Sequence, residues 1–243
     1  MKISELFYSI QGEGKRAGTP SFFIRTNYCN LRCQFTSGNL CDTPYTSWFP
    51  DNDDNIGDVH ISDIIHEYAK YKCKDVVITG GEPTMFPHEL KFLIESLKAE
   101  NPDVFITLET NGTYYSDFLT MIDLISVSPK LKSSIPYKTS YEKMHEKSRV
   151  NAEALYRISL LKKNNFTDVQ WKFVYTGNGD LEEIMMIKSD LQIPASDIYL
   201  MPEGISKQDL DQTRLMTIEA CIKNGFNFSD RLHILAWGNQ RGV

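Results

Sequence analysis

Short apolar runs alternate with longer segments of helical periodicity, and this alternation constrains the fold more than any other feature of the sequence. Strands are predicted at residues 22–25, 76–79, 104–108, 124–127, 169–175, 198–201 and 232–236. Helices are predicted between them, one capped by Ser62, one opened by Pro87, and others at residues 151–163, 181–189 and 208–224, the last ending at Gly225. Repeated strand–helix units predict an α/β fold with a mainly parallel sheet, and a partial or complete barrel is favoured over a flat, doubly wound sheet.

The length suits a single domain. A chain of 243 residues with 41% hydrophobic composition can bury one large core, so residues 1–243 are predicted to form one domain. Residues 51–58 are acidic and rich in asparagine, which predicts a solvated loop. Residues 130–149 are basic and long for a strand–helix connection, which predicts a mobile lid or an exposed insertion.

The composition argues against several classes of protein. The formal net charge is -6, whereas nucleic-acid binders usually carry a basic excess, so no direct nucleic-acid partner is predicted. No run approaches about 18 apolar residues and the N-terminus lacks the apolar core of a secretory signal, so no membrane partner is predicted. The five cysteines are an odd number and three of them lie close together, which suits a cytoplasmic metal-binding protein better than a disulfide scaffold.

Polar segments rich in glycine or proline directly follow several predicted strands. They are residues 26–29, 80–83, 109–112, 128–130 and 201–204. In a parallel sheet or barrel the carboxyl ends of the strands share one rim, where functional residues cluster. These segments are therefore predicted to form one site.

Cys29, Cys33 and Cys41 lie in the first of these segments and the loop that continues it. Three thiolates can hold three irons of a [4Fe–4S] cubane and leave the fourth iron open to a ligand. A structural zinc site usually has four ligands, and no fourth cysteine or histidine is close in the sequence. The chemistry favours a cluster, with a three-ligand catalytic zinc site as the alternative.

Two motifs resemble those of the radical S-adenosylmethionine (AdoMet, SAM) superfamily. The cysteine loop resembles its cluster motif, and Gly80-Gly81-Glu82-Pro83 resembles the motif that binds the methionine part of AdoMet. The chain also resembles the 7-carboxy-7-deazaguanine synthase family over nearly its whole length, in residues 7–14, 18–20, 23–25, 41–43, 79–83, 109–112, 128–130 and 237–239. This resemblance implies a partial barrel of the radical SAM type.

The resemblance also implies an activity. Members of the family are lyases that convert 6-carboxy-5,6,7,8-tetrahydropterin to 7-carboxy-7-deazaguanine with loss of ammonia, in the biosynthesis of queuosine and other deazapurines. The implied cofactors are a [4Fe–4S] cluster, AdoMet that is regenerated, and Mg²⁺. The implied partners are a flavodoxin- or ferredoxin-like electron donor and a second copy in a homodimer. The alternative is another radical SAM enzyme, such as an activase that makes a glycyl radical on a partner protein.

Roles for individual residues follow from the same resemblance. Cys29, Cys33 and Cys41 would hold the cluster, and the Thr43 hydroxyl would bind Mg²⁺ as a hard oxygen ligand. The residues implied in AdoMet binding are Gly80, Gly81, Glu82, Ser128, Pro129, Lys130, Gln170 and Lys172. The residues implied in substrate binding are Ile10, Gln11, Gly12, Arg25, Thr79 and Val243. The further catalytic candidates are Arg25, which would pair with the substrate carboxylate, and Glu109, which would contact either ligand.

The sequence departs from the superfamily pattern in one place. Seven residues separate Cys33 from Cys41, where the pattern has two. The assignment predicts that the loop accommodates this insertion, with Phe35 or Leu40 in place of the aromatic residue that usually precedes the third cysteine.

Overall fold

The computed structural model describes residues 1–243, and its strands form a single sheet. The strands are β1 (Lys2–Ile10), β2 (Pro20–Thr26), β3 (Gly57–Asp58), β4 (Asp75–Gly80), β5 (Phe105–Thr110), β6 (Leu124–Val127), β7 (Asp168–Tyr175), β8 (Ile198–Pro202) and β9 (Asn227–Phe228). Their order across the sheet is β3-β1-β2-β4-β5-β6-β7-β8-β9. β1 is antiparallel to both neighbours, and the pairs from β2 to β9 are parallel, which confirms the predicted α/β class.

Seven α-helices accompany the sheet. They are α1 (Ile61–Ala69), α2 (Pro87–Glu100), α3 (Glu142–Ser148), α4 (Ala152–Lys163), α5 (Asn178–Leu191), α6 (Lys207–Asn224) and α7 (Leu232–Trp237). Pro87 opens α2 and Gly225 ends α6 in the left-handed conformation, as predicted. None of these helices is both long and apolar enough to cross a membrane.

Two local predictions are wrong. Residues 232–236 form α7 rather than a strand, and the Leu235 N–H donates to the carbonyl of Arg231 in the helical pattern. A short apolar run does not distinguish a strand from a helix, and the place beside β8 is taken by β9. Ser62 does not cap a helix either, because α1 has His60 as its N-cap and Ser62 lies in the first turn.

The two faces of the sheet differ in chemistry. One face packs against the helices in a core of 36 buried residues, which includes Ile24, Ile78 and Leu108. The other face has only a small apolar cluster of Phe7, Phe23 and Val77. The cross-strand register then places polar side chains beside one another on that second face, in the pairs Arg25–Thr79, Glu109–Ser126 and Ser126–Gln170. The sheet therefore presents a polar inner face next to the predicted rim.

Residues 130–149 form an insertion whose outer residues, such as Lys143 and Lys147, are exposed as predicted. They contain α3, whose His145 is fully buried. Arg149 is also buried, and it donates to the carbonyl of Lys130 and to the carboxylate of Glu183 on α5. The sequence analysis did not predict these two buried side chains, which fix the segment to the rest of the fold.

Candidate active site

A cavity opens at the carboxyl ends of the parallel strands and collects most of the predicted site residues. Those that line it are Ile10, Gln11, Gly12, Arg25, Cys29, Cys33, Cys41, Thr43, Thr79, Gly80, Gly81, Glu109, Ser128, Lys130, Lys172 and Val243. Glu82, Pro129 and Gln170 do not line it. The rim predicted from the strand ends therefore exists, but three residues implied in cofactor binding lie behind it.

The long interval between Cys33 and Cys41 folds into a small hairpin. Gln34 and Leu40 form a β-bridge, and the N–H of Cys41 donates to the carbonyl of Cys33 at 3.2 Å. The inserted residues therefore loop outward, while the second and third cysteines stay adjacent at the base. Phe35 and Leu40 both line the cavity. At the tip, Asn39 donates to Glu203 at 3.0 Å, which fixes the hairpin against the end of β8.

The backbone around the three thiols is held by specific hydrogen bonds. The Cys29 sulfur accepts from the N–H of Leu31 at 3.4 Å, and the Cys41 sulfur lies 3.0 Å from the Ser47 hydroxyl. The indole N–H of Trp48 donates to the carbonyl of Cys33 at 3.0 Å. These hydrogen bonds fix a loop conformation in which the three sulfurs can bind one ligand.

Burial of the thiols disfavours their charged form. Desolvation raises the pKa of Cys29 to about 12 and that of Cys41 to about 11, and it raises the pKa of Cys33 further. The positive charge of Lys130 opposes these shifts without cancelling them. Such thiolates require the positive charge of bound metal, as expected for metal ligands that are buried.

The separation of the sulfurs argues against zinc. Two sulfurs on a tetrahedral zinc lie about 3.8 Å apart, given Zn–S bonds of about 2.3 Å. The chain has only one group of three or more ligand-type side chains with atoms within 4.8 Å of one another, and it contains no cysteine. The three sulfurs are therefore not all within 4.8 Å of one another, a wider arrangement than one tetrahedral zinc ion needs and one compatible with a larger cluster held by soft sulfur ligands.

The glycine that follows β4 permits close contact with the cysteine loop. A Cβ atom on Gly81 would lie 2.0 Å from the carbonyl oxygen of Tyr28 and 2.9 Å from the nitrogen of Cys29. The Glu82 N–H donates to the same carbonyl of Tyr28 at 2.9 Å. The Gly-Gly-Glu segment thus aligns its backbone beside the first cysteine, where AdoMet and cluster would meet.

Glu82 supports this rim from beneath instead of lining the cavity. Its fully buried carboxylate accepts from the hydroxyls of Thr84 and Thr110 and from the N–H of Asn111 at 2.6 Å. Gln170 has a similar role, because it donates to Ser126 at 2.8 Å and accepts from the N–H of Lys15. Neither residue lines the cavity, and the cofactor contacts implied for them stay a prediction.

Ser128 and Lys130 line the cavity directly after the end of β6. The Lys130 ammonium donates to the Ser128 hydroxyl at 2.9 Å. Pro129 is buried between them and keeps both neighbours on the rim. Their polar atoms can bind the hydroxyl and carboxylate groups of a nucleoside–amino acid conjugate.

His145 on α3 fixes the cysteine loop from behind. Its Nδ1 accepts from the N–H of Arg32 at 3.3 Å, and its Nε2 lies 3.2 Å from the Ser134 hydroxyl. Because the Ser134 hydroxyl donates to the carbonyl of Leu131, Nε2 carries the proton. Burial lowers the pKa of His145 to about 4.

This buried histidine predicts a pH-dependent stability. The unfolded histidine protonates near pH 6.5 but the folded one only near pH 4, so folding stability is lost as pH falls between these values. We compare cluster-free wild type with His145→Asn in urea unfolding experiments. Between pH 7 and pH 4.5, the free energy of unfolding of wild type should fall by about 2 kcal/mol more than that of the variant. His66→Asn, on the exposed face of α1, is the control and should match wild type. Equal pH profiles for wild type and His145→Asn would contradict the prediction.

The other end of the cavity carries groups suited to a polar heterocycle. Glu109 accepts from the Gln11 amide at 3.0 Å and from the Thr79 hydroxyl at 3.4 Å. Arg25 uses only its Nε, which donates to Glu5 at 2.7 Å, so both Nη atoms remain without a protein partner. A planar arginine fork with two free donors is well suited to a carboxylate.

Beneath these groups lies a network of buried charges that the sequence did not reveal. The Glu13 carboxylate accepts from Lys172 at 2.5 Å and from Arg231 at 3.1 Å, and Arg231 also pairs with Asp42. Burial would raise the pKa of Glu13, but Lys172 and Arg231 hold it well below its usual range. Of these residues only Lys172 was a predicted site residue, and the long-range partner Arg231 has no motif that could have identified it.

His233 on α7 is another cavity residue that sequence reasoning missed. A Cβ atom on Gly12 would lie 2.2 Å from its Nδ1, so the glycine permits the imidazole to approach the strand end. Burial lowers the pKa of His233, which favours the neutral ring. The misassignment of residues 232–236 as a strand is the reason that this side chain was not placed in the cavity.

Thr43 follows the third cysteine and precedes the turn Pro44–Thr46. Its side chain makes no capping hydrogen bond, and its hydroxyl has only a long contact of 3.4 Å with Thr46. The oxygen therefore remains available in the cavity.

Comparison with known proteins adds independent evidence. The sequence matches the Radical SAM superfamily over residues 23–216. A 7-carboxy-7-deazaguanine synthase of Halobacterium salinarum is 38% identical over 253 residues, covering 98% of this chain and 91% of the relative. A protein of the same name from Rhodopirellula baltica is 39% identical, covering 99% and 88%.

Solved structures agree with this relationship. The crystal structure of QueE from Escherichia coli matches with a TM-score of 0.62 and 25% identity, covering 95% of this chain and 93% of that one. The AdoMet-bound structure of anSMEcpe matches with a TM-score of 0.53 and 15% identity, covering 86% and 63%. The second match concerns the fold alone.

Proposed function

This chain belongs to the radical SAM superfamily and, within it, to the 7-carboxy-7-deazaguanine synthase family, and from that premise we propose that it converts 6-carboxy-5,6,7,8-tetrahydropterin to 7-carboxy-7-deazaguanine with loss of ammonia. The observation that carries the proposal is one cavity in which three thiols face an arginine with two free donors. The product is a precursor of queuosine and other deazapurines.

The cysteine end of the cavity binds the cofactors. Cys29, Cys33 and Cys41 would hold a [4Fe–4S] cluster, which with AdoMet would supply radical chemistry. The backbone of Gly81 orients the methionine part of AdoMet beside Cys29, and Ser128 and Lys130 bind its polar groups.

The other end binds the pterin. The Nη atoms of Arg25 pair with the substrate carboxylate, while Thr79, Glu109 and Gln11 hydrogen-bond to the ring. The strand ends at Ile10 and Gly12 add backbone contacts, and the C-terminal Val243 closes the cavity over the ligand. Rigid strands carry most of these groups, which favours a fixed orientation of the reacting carbon.

Mg²⁺ is proposed at the Thr43 hydroxyl, near the position of the substrate carboxylate. The Thr43 hydroxyl would provide one hard oxygen ligand of the kind that this ion prefers. Such an ion offsets the negative charge of the substrate and fixes its position.

The cellular setting of the proposal follows the family resemblance. We place the enzyme in the cytoplasm as a single domain and a homodimer, reduced by a flavodoxin- or ferredoxin-like protein. The continuous sheet from β3 to β9 supports one domain, and the free thiols support a reducing compartment. Sedimentation at micromolar concentration tests the dimer, which a monomer mass would overturn.

The function is tested with anaerobically reconstituted enzyme, 6-carboxytetrahydropterin, AdoMet, dithionite and Mg²⁺. Mass spectrometry should detect 7-carboxy-7-deazaguanine in large excess over the AdoMet consumed, and removal of Mg²⁺ should slow its formation. Formation of 5′-deoxyadenosine without this product would retain the superfamily and reject the substrate.

A further inference from the structure

Glu5 is a buried acid on β1, and both of its oxygens are occupied by arginines. Its Oε2 accepts from Arg25 Nε at 2.7 Å and from the Tyr45 hydroxyl at 2.9 Å, and its Oε1 accepts from Arg241 Nε at 2.9 Å. A shift of register between Ile3 and Glu5 places Glu5 directly opposite Arg25 on β2. Bulges of this kind redirect a side chain toward a chosen partner.

Arg241 comes from the last residues of the chain, which return to the start of the sheet. Residues 239–243, here called the C-terminal strap, follow Gly238, whose φ is +74°. Asn239, Gln240, Gly242 and Val243 line the cavity, whereas Arg241 points to Glu5. Arg241 also donates to the carbonyl of Asp54 and to Asn55, and its guanidinium lies 4.0 Å from the centre of the Tyr45 ring.

The charges of this group do not balance. Two arginines share one carboxylate, so the trio of Glu5, Arg25 and Arg241 carries one unit of positive charge. The free Nη atoms of Arg25 are the part of the trio that reaches the cavity. Without Arg241, Glu5 would compensate Arg25 fully and the trio would be neutral. A ligand carboxylate would then lose much of its electrostatic attraction.

We propose that Arg241 is a positioning residue which, by sharing Glu5, keeps the charge of Arg25 available to the substrate carboxylate. The inference rests on the proposed pairing of Arg25 with that carboxylate. Glu5 orients Arg25 through Nε and leaves its outer fork free, while the Arg241 contact fastens the strap. The contact that holds the strap against Glu5 therefore also affects how Arg25 binds the carboxylate.

The test measures ligand affinity without turnover. Holoenzyme with AdoMet and no reductant is titrated calorimetrically with 6-carboxytetrahydropterin and with tetrahydropterin that lacks the carboxylate. Arg241→Gln should bind the carboxylated ligand about 10- to 30-fold more weakly, because the trio becomes neutral, and the other ligand within about threefold of wild type. Arg241→Lys, which keeps the charge, should remain close to wild type and shows that the strap region still folds.

The double variant Glu5→Gln/Arg241→Gln distinguishes charge sharing from a purely structural role. It restores one unit of positive charge, so it should bind the carboxylated ligand more tightly than Arg241→Gln does. The inference is overturned if the double variant binds the carboxylated ligand as weakly as Arg241→Gln does. It is also overturned if Arg241→Gln loses the same affinity for both ligands. If wild type binds both ligands equally, the proposed Arg25–carboxylate pairing itself is wrong.

Discussion

Cys33→Ser, reconstituted anaerobically, is expected to retain less than about a tenth of the wild-type iron and sulfide and to lose product formation by at least about 1000-fold. Cys33 is buried, and its carbonyl accepts hydrogen bonds from the Trp48 indole and from the N–H of Cys41, which fixes the backbone at this residue. No other thiol can replace it, because the two remaining cysteines lie outside the cavity. A serine oxygen is a poor ligand for the iron of such a cluster.

Those two cysteines provide matched controls. The Cys73 sulfur contacts the carbonyl of Asp75 at 2.9 Å, and the Cys221 sulfur contacts the carbonyl of Asn227 at 3.3 Å. Both are buried away from the site, so Cys73→Ser and Cys221→Ser should keep full iron content and activity apart from some loss of stability. Absorbance near 400 nm together with iron and sulfide analysis measures the outcome. A stable cluster with full turnover in Cys33→Ser would refute the ligand assignment.

The residues in local motifs were the ones that the sequence could place. The cysteine loop and the Gly-Gly-Glu segment each depend on neighbours within a few positions. Strand-end geometry then brings them together without further information, because parallel strands share one rim. For the same reason the ends of β5 and β6, with Glu109 and Ser128, were predicted correctly as parts of the cavity.

Long-range ionic partners could not be predicted in this way. Arg231 reaches Glu13 across 218 positions, and Arg241 reaches Glu5 across 236. Neither contact has a spacing rule, since it depends on how the last helix returns to β1. The first strand was itself missed, because its buried positions include Ser4 and Glu5 and so break the apolar alternation that identifies a strand.

The direction of a side chain on the rim could not be predicted from the sequence either. Glu82 and Gln170 have the residue types of ligand contacts, yet their hydrogen-bonding groups are taken up by neighbouring loops. A sequence motif fixes the position of a residue along the chain. The atoms that its side chain binds are fixed only by the packed structure.

The second large effect is expected at Lys172, the base of the buried charge network. Lys172→Met removes the partner of Glu13 at 2.5 Å and of Glu109 at 3.4 Å. Arg231 still contacts Glu13 but is shared with Asp42, so the buried carboxylates are then short of one positive charge. Breaking a buried ion pair typically costs about 3–5 kcal/mol of unfolding free energy. We expect a loss of this size in urea unfolding of the cluster-free protein at pH 7.5. Lys91→Met, which removes an exposed ion pair with Glu95 on α2, is the control and should cost less than about 1 kcal/mol.

Two further measurements separate charge from packing at this position. In wild type, Lys172 and Arg231 hold the pKa of Glu13 low against desolvation, which is the largest influence on it. Without Lys172, we expect desolvation to raise this pKa above the unfolded value of 4.5, so that Glu13 takes up a proton at a higher pH. The deficit of the variant should therefore shrink between pH 7.5 and pH 5. Adding Glu13→Gln removes the uncompensated carboxylate and should recover part of the stability at pH 7.5. The stability deficit could instead be the same at both pH values and not relieved by Glu13→Gln. That result would mean that Lys172 stabilises the protein through its packing and not through its charge.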